Sequence, residues 1–250
     1  VARLFIGVIF LSALLAAQPA SAATFIPATH YGTGSAAGAY STATGDFDND
    51  GDADVALANP AGGAISIFRA NGDGTFTWTG TDYSVGATPD AVIVGNFNGD
   101  ANLDLATANG VDNTISILLG NGDGTFSAAT PLTTPTGGQL LTGLYPVMIV
   151  AADFNADGKT DLATANVSSD PNGDGSSPGD ISVLLGNGDG TFQAAVTYIA
   201  GAGATTGLNP YSITAGDFDN DGDTDLASAN AVSNDISIFA GNGAGAFTLS

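Results

Sequence analysis

The chain has 250 residues, 36 of them glycine, and a formal net charge of −22. Its only basic residues are Arg3, Arg69 and Lys159, so it lacks the cationic surface that nucleic acid or an anionic membrane leaflet requires as a partner. A mean hydropathy of +0.22 excludes a disordered polyanion.

Every acidic residue is Asp, with no Glu anywhere. Asp favours turns and caps where Glu favours helices, so this choice argues against a helical protein. The many glycines point to tight turns between short strands. So many carboxylates in one compact chain repel one another unless a cation neutralises them. The chain has no cysteine, which removes both disulfides and thiolate metal sites and leaves an oxygen-liganded divalent cation as the natural neutraliser.

Taken from the N-terminus, Arg3, the apolar run Leu4 to Ala17 and the small-residue triplet Ala20-Ser21-Ala22 have the layout of an export signal. The apolar run falls short of the ~20 residues that a membrane span needs. The expectation is a signal peptide over 1–22 and a mature chain, 23–250, with no membrane span, secreted or held at the cell surface. Thr24-Phe25 and Tyr31-Gly32 then read as the outermost strand of a β-sheet unit.

Four segments follow that align with one another: Gly45-Asp-Phe-Asp-Asn-Asp-Gly-Asp-Ala-Asp54, Gly95-Asn-Phe-Asn-Gly-Asp-Ala-Asn-Leu-Asp104, Ala152-Asp-Phe-Asn-Ala-Asp-Gly-Lys-Thr-Asp161 and Gly216-Asp-Phe-Asp-Asn-Asp-Gly-Asp-Thr-Asp225. Each leads into a short apolar strand, then into a second one such as Ile65-Ser-Ile-Phe68 or Ile115-Ser-Ile-Leu118. A glycine turn comes next: Asn71-Gly-Asp-Gly-Thr-Phe76, Asn121-Gly-Asp-Gly-Thr-Phe126, Asn187-Gly-Asp-Gly-Thr-Phe192 and the looser Asn242-Gly-Ala-Gly-Ala-Phe247. From residue 46 to 96, 96 to 153 and 153 to 217 the spacings are 50, 57 and 64. Four short strands per unit at such a period predict an all-β fold, a β-propeller of four-stranded antiparallel blades with about four blades present. Radial packing buries both faces of each blade, and this accounts for Ile65 and Ile67 pointing one way while the apolar Phe68 points the other.

The loop pattern, the apolar strand and the Gly-Asn-Gly-Asp-Gly-Thr-Phe turn together resemble the FG-GAP/VCBS repeat family, which is similar to the propeller at the head of integrin α chains. The resemblance covers nearly all of 23–250. A literal Phe-Gly…Gly-Ala-Pro string is lacking, and Tyr83-Ser-Val-Gly-Ala-Thr-Pro89 comes nearest. The resemblance leaves two arrangements open, a closed four-bladed ring and a truncated seven-bladed propeller.

A D-x-D-x-D-G-x-x-D loop offers calcium side-chain oxygens at positions 1, 3, 5 and 9 and a backbone carbonyl at 7, with glycine at 6 for the sharp turn. The loops start like an EF-hand but close with Asp at 9 rather than Glu at 12. Four metal sites are therefore expected. Loop 1 uses Asp46, Asp48, Asp50, Asp54 and the Asp52 carbonyl. Loop 2 uses Asn96, Asn98, Asp100, Asp104 and the Asn102 carbonyl. Loop 3 uses Asp153, Asn155, Asp157, Asp161 and the Lys159 carbonyl. Loop 4 uses Asp217, Asp219, Asp221, Asp225 and Asp223. Loop 2 carries two Asn in place of carboxylates and Ala101 in place of glycine, so it is predicted to be the weakest.

Other motifs carry less. Asp73, Asp123 and Asp189 sit in Asn-Gly-Asp-Gly turns that hairpin chemistry explains. Asp170-Pro-Asn-Gly-Asp174 begins like a calcium loop but meets Pro178 at position 9. Gly175-Ser-Ser-Pro-Gly179 matches a nucleophile elbow in letters only, since the single histidine, His30, lies far away in sequence and no strand and helix flank the motif. Gly158-Lys159-Thr160 belongs to loop 3 rather than to a P-loop. No catalytic residue is assigned, and the chain is expected not to be an enzyme.

Alternation of antiparallel strands places the calcium loops and the glycine turns on one face. The long segments Pro131–Pro146, Val167–Asp180 and Ala200–Pro210 fall on the opposite face, where Tyr145 and Tyr211 would serve as aromatic contacts. The sequence thus reads as a calcium-binding adhesion or recognition module for an extracellular glycan or protein. Its alternatives are the propeller scaffold of a larger extracellular enzyme, such as a polysaccharide lyase or hydrolase, and a structural spacer.

Overall fold

The computed structural model describes residues 29–32, 38–132, 145–167, 179–199 and 209–250. The expected signal peptide, Thr24 and Phe25, the stretch 170–178 and most of the three long segments lie outside the described residues. Tyr31–Ser250 forms one compact unit. Among the described residues the only helical element is a 3-10 turn, Pro60–Gly62.

Sixteen strands form four antiparallel sheets of four, each in chain order. Blade 1 holds β1 (Ser41–Gly45), β2 (Asp54–Asn59), β3 (Ala64–Ala70) and β4 (Phe76–Ser84). Blade 2 holds β5 (Pro89–Gly95), β6 (Asp104–Asn109), β7 (Thr114–Leu118) and β8 (Thr130–Leu132). Blade 3 holds β9 (Pro146–Ala152), β10 (Asp161–Asn166), β11 (Asp180–Leu184) and β12 (Val196–Ile199). Blade 4 holds β13 (Pro210–Gly216), β14 (Asp225–Asn230), β15 (Asp235–Gly241) and β16 (Phe247–Leu249). The first strands pack in series, β1 on β5, β5 on β9 and β9 on β13, so they are the innermost. No comparable packing joins β13 to β1. Among the described residues the four blades are thus an open series of propeller blades rather than a closed ring.

The two-residue alternation of each strand divides its side chains between two blade interfaces. Between blades 1 and 2, Phe47, Ala56, Ala58, Ile65 and Ile67 pack against Val92, Leu105, Leu118 and Phe126. The next interface sets Phe97, Ala106, Ala108, Ile115 and Ile117 against Ile149, Leu162 and Leu184. The third sets Phe154, Ala163, Ala165, Ile181 and Val183 against Ile213, Leu226, Phe239 and Phe247. At about 2 kcal/mol for each large aliphatic side chain removed from water, these interfaces are the main source of stability. On blade 4 the same positions are open: Phe218 is 46% exposed and Ile236 69%.

A tyrosine locks successive blades at their outer edges. The hydroxyl of Tyr83 in blade 1 accepts from the Phe126 N–H of blade 2 at 3.2 Å, and its ring meets the Phe126 ring edge-on at 5.6 Å. Tyr198 does the same to Phe247, at 3.3 Å and 5.6 Å. Tyr31 repeats the contact on Phe76 of blade 1, at 3.2 Å and 5.9 Å. Tyr31 therefore makes on blade 1 the contact that outer-strand tyrosines make elsewhere, although residues 29–32 form no strand and the expected outermost strand is not seen there.

Inside each blade runs a buried polar ladder. Asn59, Asn109, Asn166 and Asn230 donate through Nδ2 to Ser66, Ser116, Ser182 and Ser237 at 2.6, 2.9, 2.9 and 2.9 Å. In blade 3 the same amide also reaches Asp180 Oδ1 at 2.6 Å, whereas blade 2 has Thr114 there. Asp180 is 6% exposed, and burial pushes its carboxyl up to about 6 against the lowering bond from Asn166. The folded chain holds this proton more tightly than the unfolded chain, so the associated stability is present below about pH 4 and is lost as pH rises through about 6. Asp180→Thr should therefore raise stability at pH 7 by on the order of 2 kcal/mol and leave it nearly unchanged at pH 4. Chemical denaturation at the two pH values checks this, and an equal effect at both would contradict it.

Candidate metal-binding loops

Each loop joins the innermost strand of its blade to the second strand, on the face that also carries the glycine turns. Hydrogen bonds show that the two loop types share this face. The carbonyls of Phe47, Phe97 and Phe154, at position 2, accept from Gly124, Gly190 and Gly245 in the glycine turn of the next blade, at 2.9, 2.8 and 3.0 Å. The loops thus belong to the blade interfaces as well as to their own sheets.

The aspartates fold the loops locally. Position 5 donates its N–H to the position 3 side chain, as in Asp50 to Asp48 at 3.3 Å, Asp157 to Asn155 at 3.1 Å and Asp221 to Asp219 at 3.1 Å. Position 7 donates to position 5, as in Asp52 to Asp50, Lys159 to Asp157 and Asp223 to Asp221, each at 2.9 Å. These nested Asx turns use Asp and Asn for their short side chains as much as for their charge. Position 4 has a left-handed backbone in Asn49, Gly99, Ala156 and Asn220. Position 6 is left-handed at Gly51, Gly158 and Gly222, and each donates to the position 1 carboxylate, at 2.9, 2.8 and 3.1 Å. Ala101 has no positive φ. In loop 2, Gly99 N–H bonds Asn96 Oδ1 at 2.8 Å, as Asn220 bonds Asp217 in loop 4 at 2.7 Å.

Position 9 has a role that the ligand pattern conceals. Asp54, Asp104, Asp161 and Asp225 are buried. One oxygen accepts from the Phe N–H at position 2, at 3.0, 2.8, 2.8 and 2.8 Å. The other accepts from the end of the third strand, Ala70, Gly120, Gly186 and Gly241, at 2.8, 2.8, 2.7 and 2.8 Å. Each carboxylate therefore staples its loop to its blade. Burial pushes the Asp104 and Asp161 carboxyls up, while these backbone bonds pull them down.

Calcium bonds of ~2.3–2.6 Å require ligand oxygens no more than about 5 Å apart. The carboxylates of Asp46, Asp48 and Asp50 offer oxygens within 4.8 Å of one another, and so do those of Asp217, Asp219 and Asp225. Loops 1 and 4 thus fit the ion. In loop 1, Arg69 forms an ion pair with Asp48, whose side chain is almost wholly buried. In loop 3, Lys159 lies 3.5 Å from Asp157, and the Asp157 carboxyl is held down, chiefly by the Lys159 N–H. In loop 2, Asn98 Nδ2 donates to Asp100 Oδ2 at 2.8 Å, and Asn96 closes on the Asp100 carbonyl. Amides thus satisfy loop 2 from within. Loop 4 carries five Asp and no basic partner among the described residues. There the Asp221 N–H pulls the Asp219 carboxyl down, but desolvation and the charges of Asp221, Asp225 and Asp217 prevail and raise it. This is the crowding that a bound cation relieves.

The glycine turns are built for hairpins: Thr75, Thr125 and Thr191 donate their N–H to Asp73, Asp123 and Asp189 at 2.9, 3.0 and 3.0 Å. These carboxyls are held down, chiefly by the threonine hydroxyls. His30 is exposed.

The sequence matches the model of the FG-GAP-like repeat over residues 46–107, 96–164 and 167–228. No curated protein matches the chain. Among solved structures, a putative 6-phosphogluconolactonase from Bacteroides uniformis is similar with a TM-score of 0.58 and 15% identity, over 85% of this chain and 53% of that one. A functionally unknown protein from Desulfotomaculum acetoxidans is similar with a TM-score of 0.53 and 16% identity, over 84% of this chain and 61% of that one. BBS1N, in complex with ARL6DN, is similar with a TM-score of 0.51 and 15% identity, over 84% of this chain and 56% of that one. The chain thus spans between about half and three fifths of the length of these structures, and at such identities they share its fold alone. The repeat matches cover more than half of the sequence, and the chain belongs to the FG-GAP-like repeat family.

Proposed function

We propose that the chain is an exported, calcium-binding recognition module that does no chemistry of its own. The observation that carries this reading is the convergence of three carboxylates in loop 1 and again in loop 4, on loops that also bridge the blades. In loop 4, Asp217, Asp219, Asp221 and Asp225 would hold the ion through side chains and Asp223 through its carbonyl. In loop 1, Asp46, Asp48 and Asp50 would do so, with Arg69 as a competitor for Asp48. Loops 2 and 3 rank below them, loop 2 because amides replace carboxylates. Calcium here neutralises charge and stiffens the loop face, leaving the opposite face for a glycan or protein ligand outside the cell. The likeness to a lactonase is one of fold and brings no activity with it.

Calcium titration of the full chain by calorimetry tests the reading. Extracellular modules bind at ~10⁻⁴–10⁻³ M, so heat should saturate within about ten times that range. The double variant Asp219→Asn/Asp221→Asn should remove the loop 4 site and its share of the heat, leaving that of loop 1. Retention of all the heat in that variant, or no heat in the parent, would remove calcium from the account.

A further inference from the structure

The face opposite the loops carries a group of side chains that the repeat pattern does not explain. At the starts of the innermost strands stand Tyr40, just before β1, Asp90, the second residue of β5, Tyr145, just before β9, and Tyr211, the second residue of β13. Since β1, β5, β9 and β13 pack in series, four different blades deliver these residues to one end of the propeller axis. The Tyr145 hydroxyl is pushed up by burial and further by Asp90, Tyr40 and Tyr211.

Three observations mark this place as built to receive something. Among the described residues Asp90 Oδ2 is buried without a hydrogen-bond partner, a cost that a donor to the carboxylate would offset. Gly110 lets the carboxylate and the Tyr145 ring close against the backbone: a Cβ there would meet Asp90 Oδ2 at 2.5 Å and the Tyr145 ring at 2.7 Å. Tyr145 has φ +68°, a conformation that a bulky residue adopts only when its surroundings impose it. It is clamped by its N–H on Asn113 Oδ1 at 2.7 Å and by the Val167 N–H on its carbonyl at 3.1 Å. Tyr40 and Tyr211 are 75% and 60% exposed, leaving large, rigid aromatic surfaces turned to solvent at low entropic cost of contact.

The chemistry selects the ligand class. A chain of net charge −22 with a carboxylate in the site repels polyanions, and a purely apolar ligand offers Asp90 no donor. A neutral sugar offers both parts, a C–H face for an aromatic ring and hydroxyls for an acceptor. We propose that Tyr40, Asp90, Tyr145 and Tyr211 form a binding site for a neutral carbohydrate, with sugar rings stacked on the tyrosines and a sugar hydroxyl donating to the half-buried Asp90 carboxylate. This deepens the recognition role proposed above and rests on it.

The test is retention of the full chain, in calcium, on a neutral glucan, a mannan and a chitin matrix, with polygalacturonate and polylysine as charged comparators. At least one neutral matrix should retain the parent. Tyr211→Ala and Asp90→Ala should each weaken that retention about tenfold or more, the equivalent of 1.4 kcal/mol, with the calcium titration unchanged. No retention on any neutral matrix would overturn the proposal, as would retention indifferent to both substitutions. Retention on polylysine alone, lost in these variants, would overturn it too by assigning the site to cations. In each of these cases an intact calcium titration would leave the calcium reading standing, so the two failures are distinguishable.

Discussion

Asp161→Asn is expected to destabilise the chain by about 3–5 kcal/mol in chelator, where no ion is present to lose. The carboxylate accepts from Phe154 and Gly186 at 2.8 and 2.7 Å in a buried setting, and hydrogen bonds to a charged group contribute ~1.5–3 kcal/mol each. An amide keeps the shape but turns an NH2 group towards one of these two N–H donors. Asp157→Asn, at an exposed position of the same loop, should leave stability nearly unchanged in chelator. Denaturant unfolding of both variants decides between the two roles. Equal and small effects would mean that position 9 is only a ligand.

The second large effect concerns one repeat position in two blades. Phe154 is 1% exposed between blades 3 and 4, while Phe218, at the same position of loop 4, is 46% exposed. Phe154→Ala should cost about 3–5 kcal/mol through lost burial and the cavity left behind. Phe218→Ala should cost about 1 kcal/mol, because water already covers much of its ring. Comparable losses at both positions would show that the blade 4 face is as covered as the others.

How far the sequence carries the account depends on the range of each interaction. The blades were legible because strand, loop and turn recur with the same letters. Loop geometry was legible for the same reason: Asx turns and left-handed glycines are local, and Ala101 alone announced the altered turn of loop 2. The double duty of position 9 was not legible, since Asp is as suitable for a staple as for a ligand. A signal existed for the polar ladder in the recurring Ala-Asn and Ile-Ser pairs, but its partners lie on adjacent strands. The pairing of Arg69 with Asp48 needed the fold, because it joins the end of β3 to loop 1. Strand alternation placed Tyr145 and Tyr211 at the end of the blades opposite the loops, where they stand. Tyr40 and Asp90 joined them only once four blades were set side by side.

Calcium-linked stability is the central claim, and thermal unfolding of the full chain in excess calcium and in chelator tests it most directly. An ion that binds only the folded chain contributes ~2.7 kcal/mol per site at a hundred times its dissociation constant. The account predicts a melting temperature that rises with calcium concentration, with the share of the rise due to loop 4 lost in Asp219→Asn/Asp221→Asn. An unchanged melting temperature in a well-folded chain would contradict it and leave the loops as self-contained Asx turns.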